Sequence, residues 1–215
     1  MRDEDFEIFI DEMGEATSTQ RVPSASIAKY SGVLPNVLLK YWQEEGWCGY
    51  ANGLFWTVNP DEYKHLLDVW LSGTLFEKID RYHVIARSAF GDFYAWGEKY
   101  NRKIIVSCST HSIIALVNEV SSPSLDPNLG IQSFFAMSDK EAFDMEDNLG
   151  EFLFERALKK LGPVGPCEMY GFEPALVLGG AVSLNNLAKL NLEVHLTILR
   201  QLAAPQVPFG TLPNN

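Results

Sequence analysis

The fold of this chain is decided by the sequence HVIARSAFGDFYAW, residues 83–96. Two runs rich in β-branched and aromatic residues flank the turn Gly91-Asp92, and this pattern predicts a β-hairpin with strands at 83–88 and 93–96. Similar runs at 104–108 and 112–116 follow on short connections. Consecutive strands joined by short turns predict an antiparallel meander.

Helical patterns surround these strands on both sides in the sequence. In residues 3–15 the apolar residues Phe6, Phe9 and Met13 recur at helical spacing, and Asn59-Pro60 supplies an N-cap and a first-turn proline for a further helix. Other predicted helices are 35–46, 151–161 and 190–202. The sequence therefore predicts an α+β protein, with a central, mostly antiparallel sheet flanked by helices.

The longest predicted loop is SSPSLDPNLG, residues 121–130. It is followed by a short strand or helical turn at 131–137, and the glycine- and proline-rich residues 165–180 are predicted to be irregular. We place a boundary at this loop and expect two closely packed subdomains, residues 1–120 and 131–215.

The charge of the chain narrows the range of partners. Seventeen Lys and Arg residues against 28 Asp and Glu give a net charge of −11, which repels phosphate backbones and attracts basic proteins. The N-terminal residues carry no apolar signal-peptide core, and no run is long enough to cross a bilayer. Three widely spaced cysteines fit a reducing compartment. A cytoplasmic protein that binds neither nucleic acid nor membrane is expected.

Catalytic and cofactor patterns are absent from the sequence. No two of the four histidines stand at a metal-ligand spacing, and no glycine-rich nucleotide loop is present. Cys108 and His111 are the one candidate nucleophile–base pair, although two polar-tolerant residues near a strand end are the simpler explanation, because nothing else in the sequence resembles a protease or transferase signature. We therefore expect no catalytic residues, no metal and no cofactor.

The strongest candidate for a binding surface is the acidic stretch that follows Ser138. We predict that Ser138 caps a helix over residues 139–147, whose acidic side chains form either a solvated face or a docking surface for a basic partner. These candidate contact residues are Asp139, Glu141, Asp144, Glu146 and Asp147. Asp92 at the hairpin tip, with Trp96 beside it, is a second candidate, although a turn role also explains Asp92.

Two segments resemble known families. The sequence LLKYWQEEGW at 38–47 with GLFWTVNPDEY at 53–63 is similar to the N-terminal part of GAD-like domain proteins, as is AFGD at 89–92 followed by Tyr94 and Trp96. The sequence GPVGPCEMYGFEPAL at 162–176 resembles the C-terminal domain of Tdi-type immunity proteins of bacterial type VI secretion. Residues 169–172 in this motif are either an exposed aromatic loop or a tight turn that packs Tyr170 and Phe172 into the core.

The resemblance implies a GAD-like N-terminal domain at 1–120 and a Tdi-type immunity domain at 131–215. It also implies a non-enzymatic protein that binds a cognate toxin effector in a 1:1 complex and blocks or distorts the active site of that toxin, expected to be a DNase. Two alternatives remain open. One is a regulatory or scaffold module that binds another basic protein, and the other is a cysteine-dependent hydrolase using Cys108 with His111.

Overall fold

The computed structural model describes residues 2–209, so that the end of the predicted C-terminal subdomain, residues 210–215, lies outside the described residues. The strands of the described chain are β1 (Ser18–Gln20), β2 (Trp47–Tyr50), β3 (Phe55–Thr57), β4 (Tyr82–Ser88), β5 (Phe93–Gly97), β6 (Lys103–Ser107), β7 (Ser112–Ile114), β8 (Glu168–Phe172) and β9 (Leu187–Asn191). The helices of the same residues are α1 (Glu4–Met13), α2 (Ser24–Tyr30), α3 (Asn36–Glu44), α4 (Pro60–Leu71), α5 (Phe76–Ile79), α6 (Val117–Val120), α7 (Pro127–Ala136), α8 (Lys140–Phe143), α9 (Phe154–Leu161) and α10 (Leu192–Leu202).

The main sheet has seven strands in chain order, β1 to β7, and every neighbouring pair is antiparallel. The hairpin expected at 83–96 is present: Arg87 pairs with Phe93 and Val84 with Ala95, with a bulge between Val84 and Ala86. A second, two-stranded sheet consists of β8 and β9. The prediction of a mixed α+β fold with a mostly antiparallel sheet is therefore confirmed.

Both faces of the main sheet are covered, which explains why its central strands are almost continuously apolar. Along β5, Phe93 and Ala95 enter one core cluster, whereas Tyr94 and Trp96 enter the other. This is the two-residue alternation of a strand with a core on each side. Helices α1, α3 and α7 pack on the face of Tyr94, and α4 and α10 cover the face of Phe93.

Local capping chemistry places α4 where the sequence predicts it. The Asn59 side chain accepts a hydrogen bond from the Asp61 N–H at 3.2 Å, and Pro60 occupies the first helical position. The apolar face predicted for this helix is buried, including Tyr63 and Trp70.

Two predicted irregular segments are regular in the structure. Helix α7 begins at Pro127, inside the expected loop, because Asp126 accepts hydrogen bonds from the N–H groups of Asn128 and Leu129. The motif at 169–172 is neither an exposed loop nor a tight turn, since it forms strand β8 and pairs with β9. Its expected burial is confirmed, because Tyr170 and Phe172 are almost fully enclosed.

The small sheet is joined to the main one through the end of β4. The Tyr170 N–H donates to the Ala89 carbonyl at 2.9 Å. The fully buried Arg87 of β4 joins the same two parts of the chain. Its Nη2 donates to the carbonyls of Gly165 at 2.9 Å and Pro166 at 3.0 Å, in the segment that precedes β8. One core cluster contains residues from both halves of the chain. The halves are therefore packed together, and the division into subdomains 1–120 and 131–215 stays a prediction.

The chain after α10 completes the last edge of the main sheet. Gln206 forms a parallel bridge with Ser112, its N–H donates to the His111 carbonyl at 2.7 Å, and its own carbonyl accepts from the Ile113 N–H at 2.8 Å. Strand β7 is therefore covered on its outer edge. Within residues 2–209, no helix combines the length and the apolar character required to cross a membrane.

Candidate functional site

The acidic segment, residues 139–147, is anchored on the main sheet by Phe143. This side chain is buried and lies 4.7 Å from the ring of Phe55 and 5.1 Å from the ring of Tyr94, measured between centroids. The segment is not the single helix expected from the sequence: α8 ends at Phe143. Its N-cap is Asp139, whose carboxylate accepts from the Ala142 N–H at 2.7 Å, and not Ser138, whose hydroxyl donates to the Phe134 carbonyl.

The helix ends because Asp144 binds the backbone further along the chain. One of its carboxylate oxygens accepts hydrogen bonds from the N–H groups of Met145, Leu153 and Phe154. Burial raises the pKa of the Asp144 carboxyl. Asp144 therefore fixes the position of α9 relative to the acidic segment and is not freely presented to a partner.

Asp147 has a similar internal role. Its Oδ1 accepts from the N–H groups of Leu149 and Glu151, and its Oδ2 forms an ion pair with Arg156 at 2.6 Å. The Asp147 side chain is only 4% exposed. The hydrogen bond from Arg156, together with these backbone N–H groups, holds the pKa of the Asp147 carboxyl below its usual range.

This ion pair predicts an acid-sensitive contribution to stability. A carboxyl whose pKa is depressed in the folded state stabilises the fold above its unfolded pKa, about 3.9, and loses that contribution as the pH falls through the folded value. Asp147→Asn keeps an oxygen for Leu149 and Glu151 but removes the ion pair. We expect wild type to be more stable than Asp147→Asn at pH 7, with the difference shrinking below about pH 4.

Urea midpoints of both proteins, measured from pH 7 down to pH 2.5, check this prediction. Glu141→Gln is the control, because Glu141 is an exposed carboxylate of the same segment. A difference between wild type and Asp147→Asn that stays constant across this range would contradict the assigned ion pair.

The exposed part of the acidic segment combines carboxylates with large apolar side chains. Asp139, Glu141 and Glu146 face solvent. Close by in the chain, Met137 is 80% exposed and Leu149 is 82% exposed. Protein interfaces commonly place a few apolar anchors inside a charged, solvated rim, so this surface has the composition of a docking site.

The other predicted contact residues are enclosed. Trp96 is 3% exposed and packs against Gly130 of α7. Asp92 is half-buried, and its carboxylate accepts hydrogen bonds from the hydroxyls of Ser88 at 3.1 Å and Ser107 at 2.8 Å. Burial raises the pKa of the Asp92 carboxyl. Both residues shape the hairpin beneath the surface, and their part in partner binding stays a prediction.

The pair predicted as a nucleophile and its base is also enclosed. Cys108 is fully buried, and burial raises the pKa of its thiol well above the usual range, which disfavours the reactive thiolate. His111 is buried as well, and its Nε2 lies 2.7 Å from the Leu199 carbonyl oxygen. The two side chains therefore present no accessible nucleophile. Across residues 2–209, no group of three or more His, Cys, Asp or Glu side chains is arranged to hold a metal ion.

The residues that the sequence did not single out are the apolar ones at the surface and one buried cation. Met137 and Leu149 are apolar residue types that are usually buried, and the sequence alone does not show that they are exposed. Arg87 carried no signal, because an arginine within a strand normally faces solvent.

The fold and this surface define a mixed α+β protein built on a seven-stranded antiparallel sheet, with an acidic and partly apolar surface beside it. Residues 4–110 match the GAD-like domain, and residues 128–203 match the C-terminal domain of the T6SS immunity protein Tdi1. The chain belongs to the proteins that join a GAD-like domain to a Tdi1-type C-terminal domain. This membership supports a role in type VI secretion immunity, binding a cognate toxin effector as a non-enzymatic inhibitor.

A solved structure shows the same fold. The crystal structure of Atu4351 from Agrobacterium tumefaciens superposes with a TM-score of 0.83 at 24% sequence identity, covering 97% of this chain and 94% of that one. No curated protein matches the chain in sequence.

Proposed function

We propose that this protein is the immunity partner of a type VI secretion DNase toxin, which it binds in a 1:1 complex in the cytoplasm so that the active site of the toxin is blocked or distorted. The observation that carries the proposal is the match of residues 128–203 to the Tdi1 C-terminal domain, within which the acidic segment lies. An enzyme that binds DNA needs a cationic surface, and a protein of net charge −11 is attracted to such a surface.

The docking surface that we propose is the exposed part of the acidic segment with its apolar neighbours. Asp139, Glu141 and Glu146 steer a basic partner, while Met137 and Leu149 supply area that becomes desolvated on contact. Asp144 and Asp147 hold the backbone of this surface in place through hydrogen bonds from main-chain N–H groups.

The direct test is capture of the partner. Tagged protein is recovered from its native cells, the co-purified protein is identified, and its activity on linear and plasmid DNA is measured with and without the immunity protein. We expect a DNase whose activity falls to background at equimolar inhibitor. A captured protein without nuclease activity would favour the alternative of a regulatory or scaffold module.

Removing three exposed charges is expected to slow association with the toxin. The variant Asp139→Asn/Glu141→Gln/Glu146→Gln keeps the oxygen that caps α8 and changes the net charge from −11 to −8. We expect an association rate constant about tenfold lower at low ionic strength, with a shallower salt dependence. Stopped-flow fluorescence at two or more salt concentrations measures both quantities.

The matched control removes the same number of charges elsewhere. Glu62, Asp68 and Glu193 are exposed on α4 and α10, and their neutral variants give the same net charge. If both triple variants associate equally fast, net charge alone governs the encounter and the acidic segment is not the docking surface.

A further inference from the structure

Two clefts in the described chain differ in whether their charged groups already have partners. The larger, about 930 Å³, lies among α2, α4, α5 and β4. Most of its charged side chains have partners: Lys29 pairs with Asp61, Lys64 pairs with Asp68, and the Glu98 carboxylate lies 3.2 Å from His83 Nε2. The exposed Lys78 also lines this cleft. Because most of its charged groups are already paired, this cleft has less need of a charged ligand.

The second cleft, which we call the Lys103 groove, has a volume of about 530 Å³ and lies between β5 and β6 on one side and α7 and α8 on the other. Six of its lining residues matter here: Tyr94, Trp96, Lys103, Phe134, Met137 and Ser138. It adjoins the proposed docking surface, because the acidic segment begins directly after Ser138.

Among the described residues that line this groove, Lys103 is the cation without a hydrogen-bond or ion-pair partner. It is half-buried, and its Nζ lies 4.7 Å from the ring centroid of Phe134 and 5.9 Å from that of Tyr94. Among residues 2–209, its ammonium has neither a hydrogen bond nor an ion pair, and desolvation lowers the pKa of Lys103. The neighbouring Arg102 gives its donors to the carbonyls of Ser122 and Pro123.

A second donor on the same wall is also without a partner. The indole N–H of Trp96 is buried and finds no hydrogen-bond acceptor within the described chain. A buried or half-buried donor without a partner costs free energy, more so when it is charged. Five other buried Trp and Tyr side chains of the described chain also lack a hydrogen-bond partner, so the Lys103 ammonium is the group that favours an anionic acceptor, and the Trp96 N–H is a second donor on the same wall.

We propose that the Lys103 groove receives a single acidic side chain of the toxin, whose carboxylate pairs with the Lys103 ammonium above the Phe134 and Tyr94 rings. This inference rests on the proposed function and specifies the chemistry of one contact within it. The apolar walls formed by Phe134 and Met137 accommodate the methylene groups of such a side chain.

A polyanion fits this position poorly. Asp139 and Glu141 are exposed where the chain leaves the groove, and Glu119 lies exposed on its rim. A nucleic-acid strand would meet these carboxylates along its whole length, whereas one carboxylate side chain reaches Lys103 past them. A basic toxin surface with one acidic residue at this point would also distinguish the cognate toxin from other basic proteins.

Replacing Lys103 by methionine tests the contact, because it keeps the length and apolar character of the stem and removes the charge. We expect the dissociation constant for the toxin to rise about thirtyfold or more, mainly through faster dissociation. Lys103→Arg is expected to recover most of this affinity. Lys99→Met is the matched control, since Lys99 also lies over an aromatic ring, that of Tyr100 at 4.4 Å, but is exposed.

The outcomes separate the two proposals. Wild-type protein that binds no nuclease overturns the proposed function. Wild type that binds the toxin while Lys103→Met binds it equally well, or no worse than Lys99→Met, overturns the groove contact alone.

A measurement without the toxin checks the chemistry of the groove. The lysine side chains are labelled with ¹³C at Cε and followed by NMR during titration with N-acetylglutamate, N-acetylglutamine and inorganic phosphate. We expect the Lys103 resonance to shift with N-acetylglutamate and to titrate at higher pH in its presence, with no response to the amide. A larger response to phosphate would overturn the assignment to a side-chain carboxylate.

Discussion

Replacing Arg87 by methionine is expected to lower the free energy of unfolding by about 3–5 kcal/mol. The Arg87 side chain is fully buried. Within residues 2–209 no carboxylate is hydrogen-bonded to it, and its donors bind neutral oxygens. Its Nε donates to the Tyr63 hydroxyl at 3.0 Å, and its guanidinium lies 4.9 Å from the Trp56 ring centroid.

The loss is large because methionine removes all four hydrogen-bond partners of the guanidinium and, within the described residues, leaves the Pro166 carbonyl without a donor. The carbonyls of Ser88, Gly165 and Pro166 each accept from the guanidinium. Two of these carbonyls belong to the segment that leads into β8, so the variant also weakens the attachment of the small sheet to the main one. Arg87→Lys keeps the charge but cannot reproduce the planar fork, and an intermediate loss is expected.

Urea unfolding followed by tryptophan fluorescence and circular dichroism measures these differences. The control is Arg81→Met, since the Arg81 side chain is 70% exposed and its only ion pair in the described chain is a long one to Glu98; a change under about 1 kcal/mol is expected. Arg87→Met within 1 kcal/mol of wild type would show that the buried guanidinium is not a structural link.

Replacing Phe135 by alanine is expected to cost about 3–5 kcal/mol. Phe135 lies on α7 and is 1% exposed. The centroid of its ring lies 5.3 Å from that of Phe6 and 5.1 Å from that of Phe9, both on α1. It also lies 5.3 Å from the ring centroid of Tyr41 on α3. The truncation opens a cavity where the helix of the C-terminal region meets the first helix of the GAD-like region.

The same unfolding measurement, with thermal unfolding in parallel, tests the effect of Phe135→Ala. Leu129→Ala is the control on the same helix, because Leu129 is 56% exposed, and a change within about 0.5 kcal/mol is expected. Equal stabilities of the two variants would mean that the aromatic contact between α1 and α7 contributes little.

The sequence predicted those helices and strands that are determined by residues close to them in the chain. The helix after Asn59-Pro60 and the hairpin around Gly91-Asp92 are fixed by cap and turn chemistry within a few residues. The cap Asp126-Pro127 carried the same kind of signal for α7, and the surrounding Ser and Pro residues concealed it. Strand β8 was missed because its partner β9 lies about 20 residues away and its Gly171 is atypical of strands.

For the candidate site, the sequence predicted which residue types are present but not which of their side chains are exposed. The density of acidic residues at 139–147 is visible in the sequence, but the division between presented and internal carboxylates is not. It depends on contacts with Leu153, Phe154 and Arg156, which lie beyond the segment. The unsatisfied charge of Lys103 likewise follows from how α7 covers β6, and no local pattern encodes that.

The covered edge of β7 also determines when the main sheet can be completed during synthesis. Gln206 must leave the ribosome before it can bridge Ser112. At bacterial and eukaryotic elongation rates, this stretch takes roughly 5 to 20 s to make. During that time the outer edge of β7 in the nascent chain is unpaired. It becomes covered only when the residues after α10 are available to form the bridge at Gln206.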